Sequence, residues 1–434
     1  MGCPRAFGTR VTVTPGCSVY IGMTSRDGQK DLEAAITWID LTSRDREQMR
    51  RVLDLLSEQG TVDEMGLGTI RDAFADALFP GTSSIQTRLR YVLFVPWLYQ
   101  QLEAKRISSS DIARVAREAE ISLIAPLKAS GDVEGVIGAR AGASLARLPS
   151  HVYWAALVRW GIFRRPQSQS WYHTHFESLA RRSAEVGRTD DPGVIWMNQP
   201  VWHARLPKRP DSFPDEISFA LTRAESEFVL GRLEETCPGT LLAWLAREGS
   251  THLAGNFWDD PVALNASAQV RQLVELAERF SLHVEGLPLL YNLLLAETRY
   301  AGHGQSPEDG ERIERYRAEL AQWAVRERAG SAFSPMALWA FMAQSRSRLA
   351  NPLKTFIEDW SARLAEIGPA AVADDATLRQ LVRLREHQLK GSRARLVNKG
   401  RLLDWSGQVG VGRLEYRWFR VRQLLIDLHQ GFAS

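Results

Sequence analysis

The 434-residue chain has few cysteines and no long apolar segment. Its three cysteines, Cys3, Cys17 and Cys237, are too widely spaced for a disulfide scaffold or a Cys-x-x-Cys metal site. No apolar run reaches the roughly 18 residues that cross a membrane, and the longest, residues 287–296, is interrupted by Asn292. These absences predict a protein of the reducing cytoplasm that makes no contact with a membrane.

Several catalytic motifs are also missing. The dipeptide Gly-Lys does not occur, which argues against a P-loop ATPase. The zinc-protease motif HExxH, the GxSxG motif of serine hydrolases and the phospholipase-type HxKx4D are absent. The acidic pair Asp215-Glu216 lacks the following lysine that restriction-type nucleases need. The sequence therefore favours a function without catalysis and without a cofactor.

What the chain contains is an ordinary globular composition with strong helix signals. Hydrophobic residues make up 44% and charged residues 24%, which is enough apolar sequence to bury a large core. Apolar residues recur at helical spacing over most of the chain, and Thr222 and Glu225 form a capping box. The predicted helices are 49–60, 70–78, 84–102, a helix opening at 110–111, 150–160, a helix opening at 222, 241–247, 266–280, 287–299, 308–328, 335–349, 352–366, 377–389 and 421–429. The predicted fold is mainly α, an irregular multi-helical array.

Changes in composition divide the chain into five segments. At about 150 residues per domain the length predicts two or three domains. The segments are an N-terminal arm (1–33), an N-terminal helical domain (34–187), a linker with five prolines (188–216), a central helical domain (217–375) and a basic C-terminal module (376–434). Residues 402–405 and 413–418 of the last segment have the pattern of two β-strands around a glycine-rich turn. They predict a small α+β, winged-helix-like module.

Positive charge is concentrated in this C-terminal module. The whole chain carries +3, but residues 376–434 contain twelve basic and four acidic residues, so the rest of the chain is acidic. Cations neutralise phosphates and aromatic rings stack on bases. The predicted nucleic-acid-binding residues are Lys390, Arg393, Arg395, Lys399, Arg401, Arg413, Arg417, Arg420, Arg422, Trp405 and Trp418. The alternative is that these arginines form ordinary surface ion pairs, because arginine makes up most of the basic residues throughout the chain.

A second polar cluster lies between Asp63 and Arg90. A turn at 79–84 is predicted to open a helix, whose free N–H groups could bind phosphate. The candidate anion or partner site consists of Arg71, Asp72, Asp76, Thr82, Ser83, Gln86, Arg88 and Arg90. Asp72 and Asp76 lie on one helical face and could bind a divalent metal together with Asp63 and Glu64. The alternative is a structural network in which Asp72 and Asp76 pair with Arg88 and Arg90, and a serine at 83 or 84 caps the helix.

Two weaker signals have ordinary structural explanations. Residues 138–145 and 149–160 resemble a helix-turn-helix, but an αα-hairpin has the same pattern. His173 and His175 form a His-x-His pair, yet the neighbouring periodicity is helical, which places the two imidazoles on different sides of a helix. Neither pattern predicts a site.

Several motifs resemble one family of bacterial and archaeal proteins, a domain of unknown function. They are residues 38–41, 63–76, 79–88, 135–138, 148–150, 153–154 and 289–297. The similarity extends from about residue 34 to the C-terminus. The resemblance implies a place among accessory genes of phage-defence islands, beside helicases or nucleases. It implies nucleic acid or such proteins as partners and assigns no residue a role.

Together, these observations predict a non-enzymatic accessory subunit of a phage-defence or DNA-processing complex, which binds nucleic acid, DNA rather than RNA, through the basic module. One alternative is a scaffold that binds a helicase or nuclease partner through exposed tryptophans and the acidic main body, and has no nucleic-acid contact. The other is a metal-dependent nuclease that uses Asp63, Glu64, Asp72 and Asp76.

Overall fold

The computed structural model describes residues 11–12, 18–19, 63–131, 133–185, 200–302, 304–345 and 347–433. The chain divides into two compact units, Met1–Gly60 and Thr61–Ser434. In the first unit, the antiparallel strands β1 (Val11–Thr12) and β2 (Ser18–Val19) pair with Val11 opposite Val19. The helix predicted at 49–60 lies outside the described residues.

The second unit is built from helices, which confirms the mainly α prediction. In its first part they are α1 (Gly68–Leu78), α2 (Tyr91–Ala104), α3 (Ile112–Ser122), α4 (Ile124–Ala129), α5 (Pro149–Arg159), α6 (Gln169–Thr174), α7 (Phe176–Glu185), α8 (Arg223–Thr236), α9 (Leu241–Glu248) and α10 (Pro261–Leu264). They are followed by α11 (Ala268–Gly302), α12 (Pro307–Ala329), α13 (Pro335–Gln344), α14 (Asn351–Ile367), α15 (Ala376–Lys390), α16 (Lys399–Leu403) and α17 (Trp418–Ala433). Among the described residues, no helix combines the length and the apolar character that a membrane crossing requires.

Helix α11 forms the centre of the second unit. It contains 35 residues and is about 52 Å long at 1.5 Å per residue. Residues 283–296 are buried on every side, as expected for a helix surrounded by protein. Helix α12 packs closely against it: a Cβ atom at Gly286 would lie 2.6 Å from the Trp323 ring. Glycine at this position therefore sets how near the two helices approach.

The sequence pattern predicted two helices, 266–280 and 287–299, in place of α11, and this prediction was wrong. The chain stays helical through the intervening residues and through Pro288. Ser281 lies in the intervening segment, is buried and donates a hydrogen bond to the carbonyl oxygen of Leu414, 3.1 Å away. Tertiary packing on all sides keeps the helix continuous where local preference would end it.

The prediction of a winged-helix-like C-terminal module is also wrong. Residues 402–405 include the end of α16 and a turn, and 413–418 form no strand in the described structure. Tyr416 and Arg417 have φ angles of 52° and 69°, in the left-handed region that a β-strand cannot use. The buried Tyr416 hydroxyl donates to the carbonyl oxygen of Ala277 at 2.7 Å, so α11 determines the path of this segment.

The predicted domain boundaries after residues 187, 216 and 375 fall inside the second unit. The described part of the proline-rich segment packs against helices: the Trp97 Nε1 donates to the carbonyl oxygen of Pro207 at 2.7 Å, and Trp202 is buried. The last helix is attached to the 63–91 region, because Asp427 accepts hydrogen bonds from the Arg88 side chain and from the Leu89 N–H. One core therefore extends across the segments that composition separated.

Candidate functional site

The structure brings the two predicted clusters into contact with each other. The Arg417 Nη1 donates to Asp76 at 2.7 Å and to the carbonyl oxygen of Thr82 at 2.8 Å. Its other Nη lies 3.8 Å from Asp72. Arg420 donates to the carbonyl oxygen of Ser84 at 3.1 Å. Arg417 and Arg420 were predicted to bind nucleic acid. In the structure both side chains join the C-terminal segment to α1 and to the turn that follows it.

Lys390 and Arg395 are held in the same way by acidic residues. The Arg395 Nη1 donates to Glu64 at 2.8 Å, and Lys390 makes a close ion pair with the same carboxylate. Glu386, which is 0% exposed, accepts from Lys390 and from the Tyr291 hydroxyl. These contacts explain why the two cations are only partly accessible, and they occupy Glu64, which the nuclease alternative required.

Arg413, Arg422 and the two tryptophans also contact the protein itself. Arg413 donates to the carbonyl oxygen of Glu278 at 2.8 Å, and Arg422 to that of Leu253 at 3.1 Å. Trp405 and Trp418 are each 2% exposed. The predicted stacking of these two indole rings on nucleic-acid bases is therefore wrong, because both rings belong to the core.

Three predicted cations remain exposed, Arg393, Lys399 and Arg401, and we call them the exposed basic segment. In the part of the chain that the structure describes, neither Arg393 nor Lys399 has an ion pair or a side-chain hydrogen bond. Arg401 lies 3.5 Å from the exposed Asp404. The apolar side chains of Val397 and Leu403, 65% and 59% exposed, lie within the same stretch of chain. These residues can contact a partner without breaking any internal ion pair except that of Arg401.

Residues of the Asp63–Arg90 cluster contact one another and distant parts of the chain. Asp63 accepts hydrogen bonds from the N–H groups of Leu67 and Gly68 at 2.7 and 2.6 Å, at the start of α1. Arg88 pairs with Asp427 and Arg90 with Glu225, so the predicted pairing of Asp72 and Asp76 with these arginines is wrong. The remaining members of the cluster form local contacts: Arg71 with Asp72, Thr82 with the Phe79 carbonyl, and Ser83 and Gln86 with each other.

Two further expectations for this cluster fail. The helix expected to open at residue 84 begins only at Tyr91, so the free N–H groups of a helix start are absent from the 79–84 turn. Within residues 63–433 as described, no group of three or more His, Cys, Asp and Glu side chains could hold a metal ion. The phosphate and metal hypotheses for these residues therefore have no geometric support.

The helix-turn-helix and the exposed tryptophans are not found either. The first helix of the motif is reduced to the 3₁₀ turn Gly142–Ser144. No tryptophan side chain in the described ranges is exposed, and Trp38 and Trp196 lie outside those ranges. The His173 Nε2 lies 2.7 Å from the Tyr99 hydroxyl oxygen, and burial lowers the pKa of His173 to about 4.

Sequence reasoning missed a cavity of about 420 Å³ between α11, α12, α13 and α14. His283, Glu327 and Ser361 line it and form a hydrogen-bonded chain. The His283 Nδ1 lies 2.8 Å from a Glu327 oxygen, and its Nε2 lies 2.8 Å from the Ser361 Oγ. The imidazole is stacked on Phe333, with ring centroids 4.2 Å apart. This chain of serine, histidine and carboxylate is the geometry in which a base can activate a hydroxyl.

The charges around this chain fix its protonation. Arg279 binds both oxygens of Glu327 through its two Nη atoms, with one distance at 2.6 Å. Burial alone would raise the pKa of Glu327, but the hydrogen bonds from His283 and Arg279 hold it below its ordinary value. Burial lowers the pKa of His283, and its bond to Glu327 only partly opposes this. At neutral pH the pair is therefore a carboxylate and a neutral imidazole.

No sequence motif could have shown this arrangement. His283 and Glu327 are 44 positions apart, and His283 and Ser361 are 78 apart. The three residues come from three different helices, α11, α12 and α14, which meet only in the folded chain.

Comparison with known proteins gives a family and no function. No curated protein matches the chain, and no solved structure matches it. Residues 33–431, which cover nearly the whole chain, match the model of a family of unknown function, DUF6361. This agrees with the resemblance inferred from the motifs, and the chain belongs to the DUF6361 family.

Proposed function

We propose that this protein is a nucleic-acid-binding accessory subunit of a phage-defence or DNA-processing complex. The observation that carries the proposal is the exposed basic segment, where Arg393, Lys399 and Arg401 project from one short stretch of chain. The other predicted cations are engaged inside the protein, so these three are the ones available to phosphates.

The number of exposed cations determines what kind of nucleic-acid binding to expect. Three phosphate contacts give weak, salt-sensitive binding that depends on charge density, and duplex DNA has a higher charge density than a single strand. Because Trp405 and Trp418 are buried, there is no stacking on unpaired bases from these residues. We therefore propose contact with the backbone of DNA, without base recognition by this segment.

The weak binding expected from three phosphate contacts is also the reason for proposing an accessory role. A protein that contacts phosphates through three cations would need a partner to remain on DNA under cellular salt, and linked sites supply that affinity. The exposed Val397 and Leu403 beside the cations provide apolar area for such a partner. A helicase or nuclease of the same system is the partner we propose, on the basis of the motif resemblance.

Fluorescence anisotropy with labelled duplex DNA, single-stranded DNA and RNA tests the DNA contact. The logarithm of the affinity for duplex DNA should fall with the logarithm of salt concentration with a slope of about −3, whereas nine contacting cations would give about −8. The triple variant R393A/K399A/R401A should lose this binding. The matched control K105A/K128A/R140A removes the same charge from exposed positions elsewhere and should bind as the unchanged protein does.

Equal binding by the two triple variants would overturn the proposal, as would no binding of duplex DNA at low salt. A slope near −8 would show that internally paired cations also reach phosphates, which would mean that the C-terminal segment rearranges on DNA.

A further inference from the structure

The cavity between α11, α12, α13 and α14 is distinct from the exposed basic segment and has its own chemistry. The carboxylate of Glu327 accepts hydrogen bonds from Arg279 and faces the His283 Nδ1. Because an ionised carboxylate only accepts, the Nδ1 must carry the imidazole proton. In a neutral imidazole the Nε2 then has a lone pair and no proton.

This assignment decides where the Ser361 proton goes. The Oγ lies 2.8 Å from the His283 Nε2 and 2.7 Å from the carbonyl oxygen of Ile357. If the hydroxyl donated to Ile357, two lone pairs would face each other across the contact with His283. Donation to the Nε2 removes that repulsion in exchange for the bond to the Ile357 carbonyl, and it is the starting state for transfer of the serine proton to a base.

We propose that this cavity is a hydrolytic site for small carboxylic esters, with Ser361 as nucleophile, His283 as general base and Glu327 as the residue that orients the imidazole. The proposal adds an activity to the DNA-binding role and does not depend on it.

The reaction balances with water as the only co-substrate. The Ser361 Oγ attacks the carbonyl carbon while its proton moves to the His283 Nε2. The bond from that carbon to the alcohol oxygen breaks, and the alcohol leaves with the proton from the Nε2. Water then attacks the acyl-serine, giving one proton to the Nε2, and the Ser361 Oγ leaves with that proton. The products are a carboxylic acid and an alcohol.

The lining of the cavity fits such a substrate. Its volume of about 420 Å³ is in the range of small-molecule sites. Phe333, Ala362 and Ala365 form apolar walls for an acyl group. Arg328 also lines the cavity, and in the described part of the chain its guanidinium has no partner. We assign to Arg328 the stabilisation of the oxygen that becomes negative during attack.

A fluorophosphonate with a short alkyl chain tests the nucleophile directly, because it forms a stable adduct with activated serines. The full-length protein at pH 8 should gain one adduct, and peptide mapping should place it on Ser361. His283→Gln should lower the labelling rate by about 100-fold or more. Burial lowers the pKa of His283, so the rate should fall only on acidification below pH 6.5, the ordinary histidine value.

Ser122→Ala is the matched control, since the Ser122 hydroxyl donates to a carbonyl of its own helix and has no histidine beside it. This variant should be labelled like the unchanged protein. Hydrolysis of p-nitrophenyl acetate should be lost in Ser361→Ala and reduced about 100-fold in Arg328→Gln.

Labelling and hydrolysis measured with the unchanged protein test the proposal even if a variant does not fold. Absence of an adduct on Ser361, or a rate of p-nitrophenyl acetate hydrolysis no higher than the spontaneous rate in buffer, overturns the proposal. Labelling of Ser361 that His283→Gln leaves unchanged in a folded protein also overturns it, because the histidine would then not act as a base.

Discussion

Glu386 and Glu327 are two buried carboxylates with different surroundings. Glu386 accepts from the Tyr291 hydroxyl, from Lys390 and from the N–H groups of Arg395 and Leu396, the last two at 2.8 and 3.0 Å. Glu327 accepts from Arg279, faces His283 and lies at the wall of a cavity. The first joins segments of the chain, and the second orients a side chain toward an open space.

The difference shows what determines whether a buried ion pair serves stability or chemistry. Both carboxylates are neutralised by a cation, as burial of charge requires. At Glu386 every polar neighbour belongs to the protein and no ligand can reach the group. At Glu327 the hydrogen-bonded chain continues through His283 to Ser361, which lines the cavity.

Removing Glu386 should have the largest effect on stability. Glu386→Ala leaves Lys390 with one fewer acidic partner and leaves the Tyr291 hydroxyl and two backbone N–H groups without their acceptor. We expect a loss of about 3–5 kcal/mol in the free energy of unfolding, because the groups left behind are buried. Urea denaturation followed by circular dichroism measures this.

The control for this prediction is Glu227→Ala. Glu227 pairs with Arg223 on the exposed face of α8, where both side chains are more than half exposed, and such pairs contribute little. A loss in Glu386→Ala as small as that in the control would show that the Glu386 cluster does not hold the chain segments together.

Glu120 is a third buried carboxylate, and among the described residues it has no ion-pair partner. Its oxygens accept from the Ser150 N–H and hydroxyl, both at 2.7 Å, and burial raises its pKa from 4.5 to about 7. The folded state therefore holds a proton that the unfolded state releases. The resulting stabilisation is complete below about pH 4.5 and is lost as pH rises to about 7.

Glu120→Gln should remove this dependence on pH. The variant should be more stable than the unchanged protein at pH 8 by up to about 3 kcal/mol, and the difference should shrink toward pH 5. Urea denaturation at pH 5, 6, 7 and 8 compares the two proteins. Parallel pH profiles would mean that Glu120 is ionised at no cost in the folded protein.

Glu327→Gln should have the smallest effect of the three on stability and a clear effect on His283. The amide keeps one acceptor for Arg279, so we expect a loss of about 1–2 kcal/mol. Its NH₂ group would donate to the His283 Nδ1, which moves the imidazole proton to the Nε2 and leaves Ser361 without a base. Side-chain nitrogen chemical shifts of His283 measure the tautomer. An unchanged tautomer would contradict the orienting role of Glu327.

The helical part of the fold was visible in the sequence because it depends on local signals. The capping box at Thr222 and Glu225 forms as predicted, with the Thr222 N–H bonded to Glu225 at 2.9 Å. The errors occur where distant contacts override local preference. Asn292, which interrupts the longest apolar run, accepts hydrogen bonds from Trp405 and the Val409 N–H. These bonds attach to α11 the segment that was predicted to be a β-ribbon.

The amino-acid pattern alone was enough to recognise the helical class, the family and the excess of positive charge in residues 376–434. Folding determines which of those charges are available, because internal partners such as Glu64 for Arg395 and Asp76 for Arg417 lie more than 300 positions away in the chain. It also brought Ser361 to His283. Periodicity and capping act within a few residues, whereas ion pairs and cavities form between helices that meet only when the chain folds.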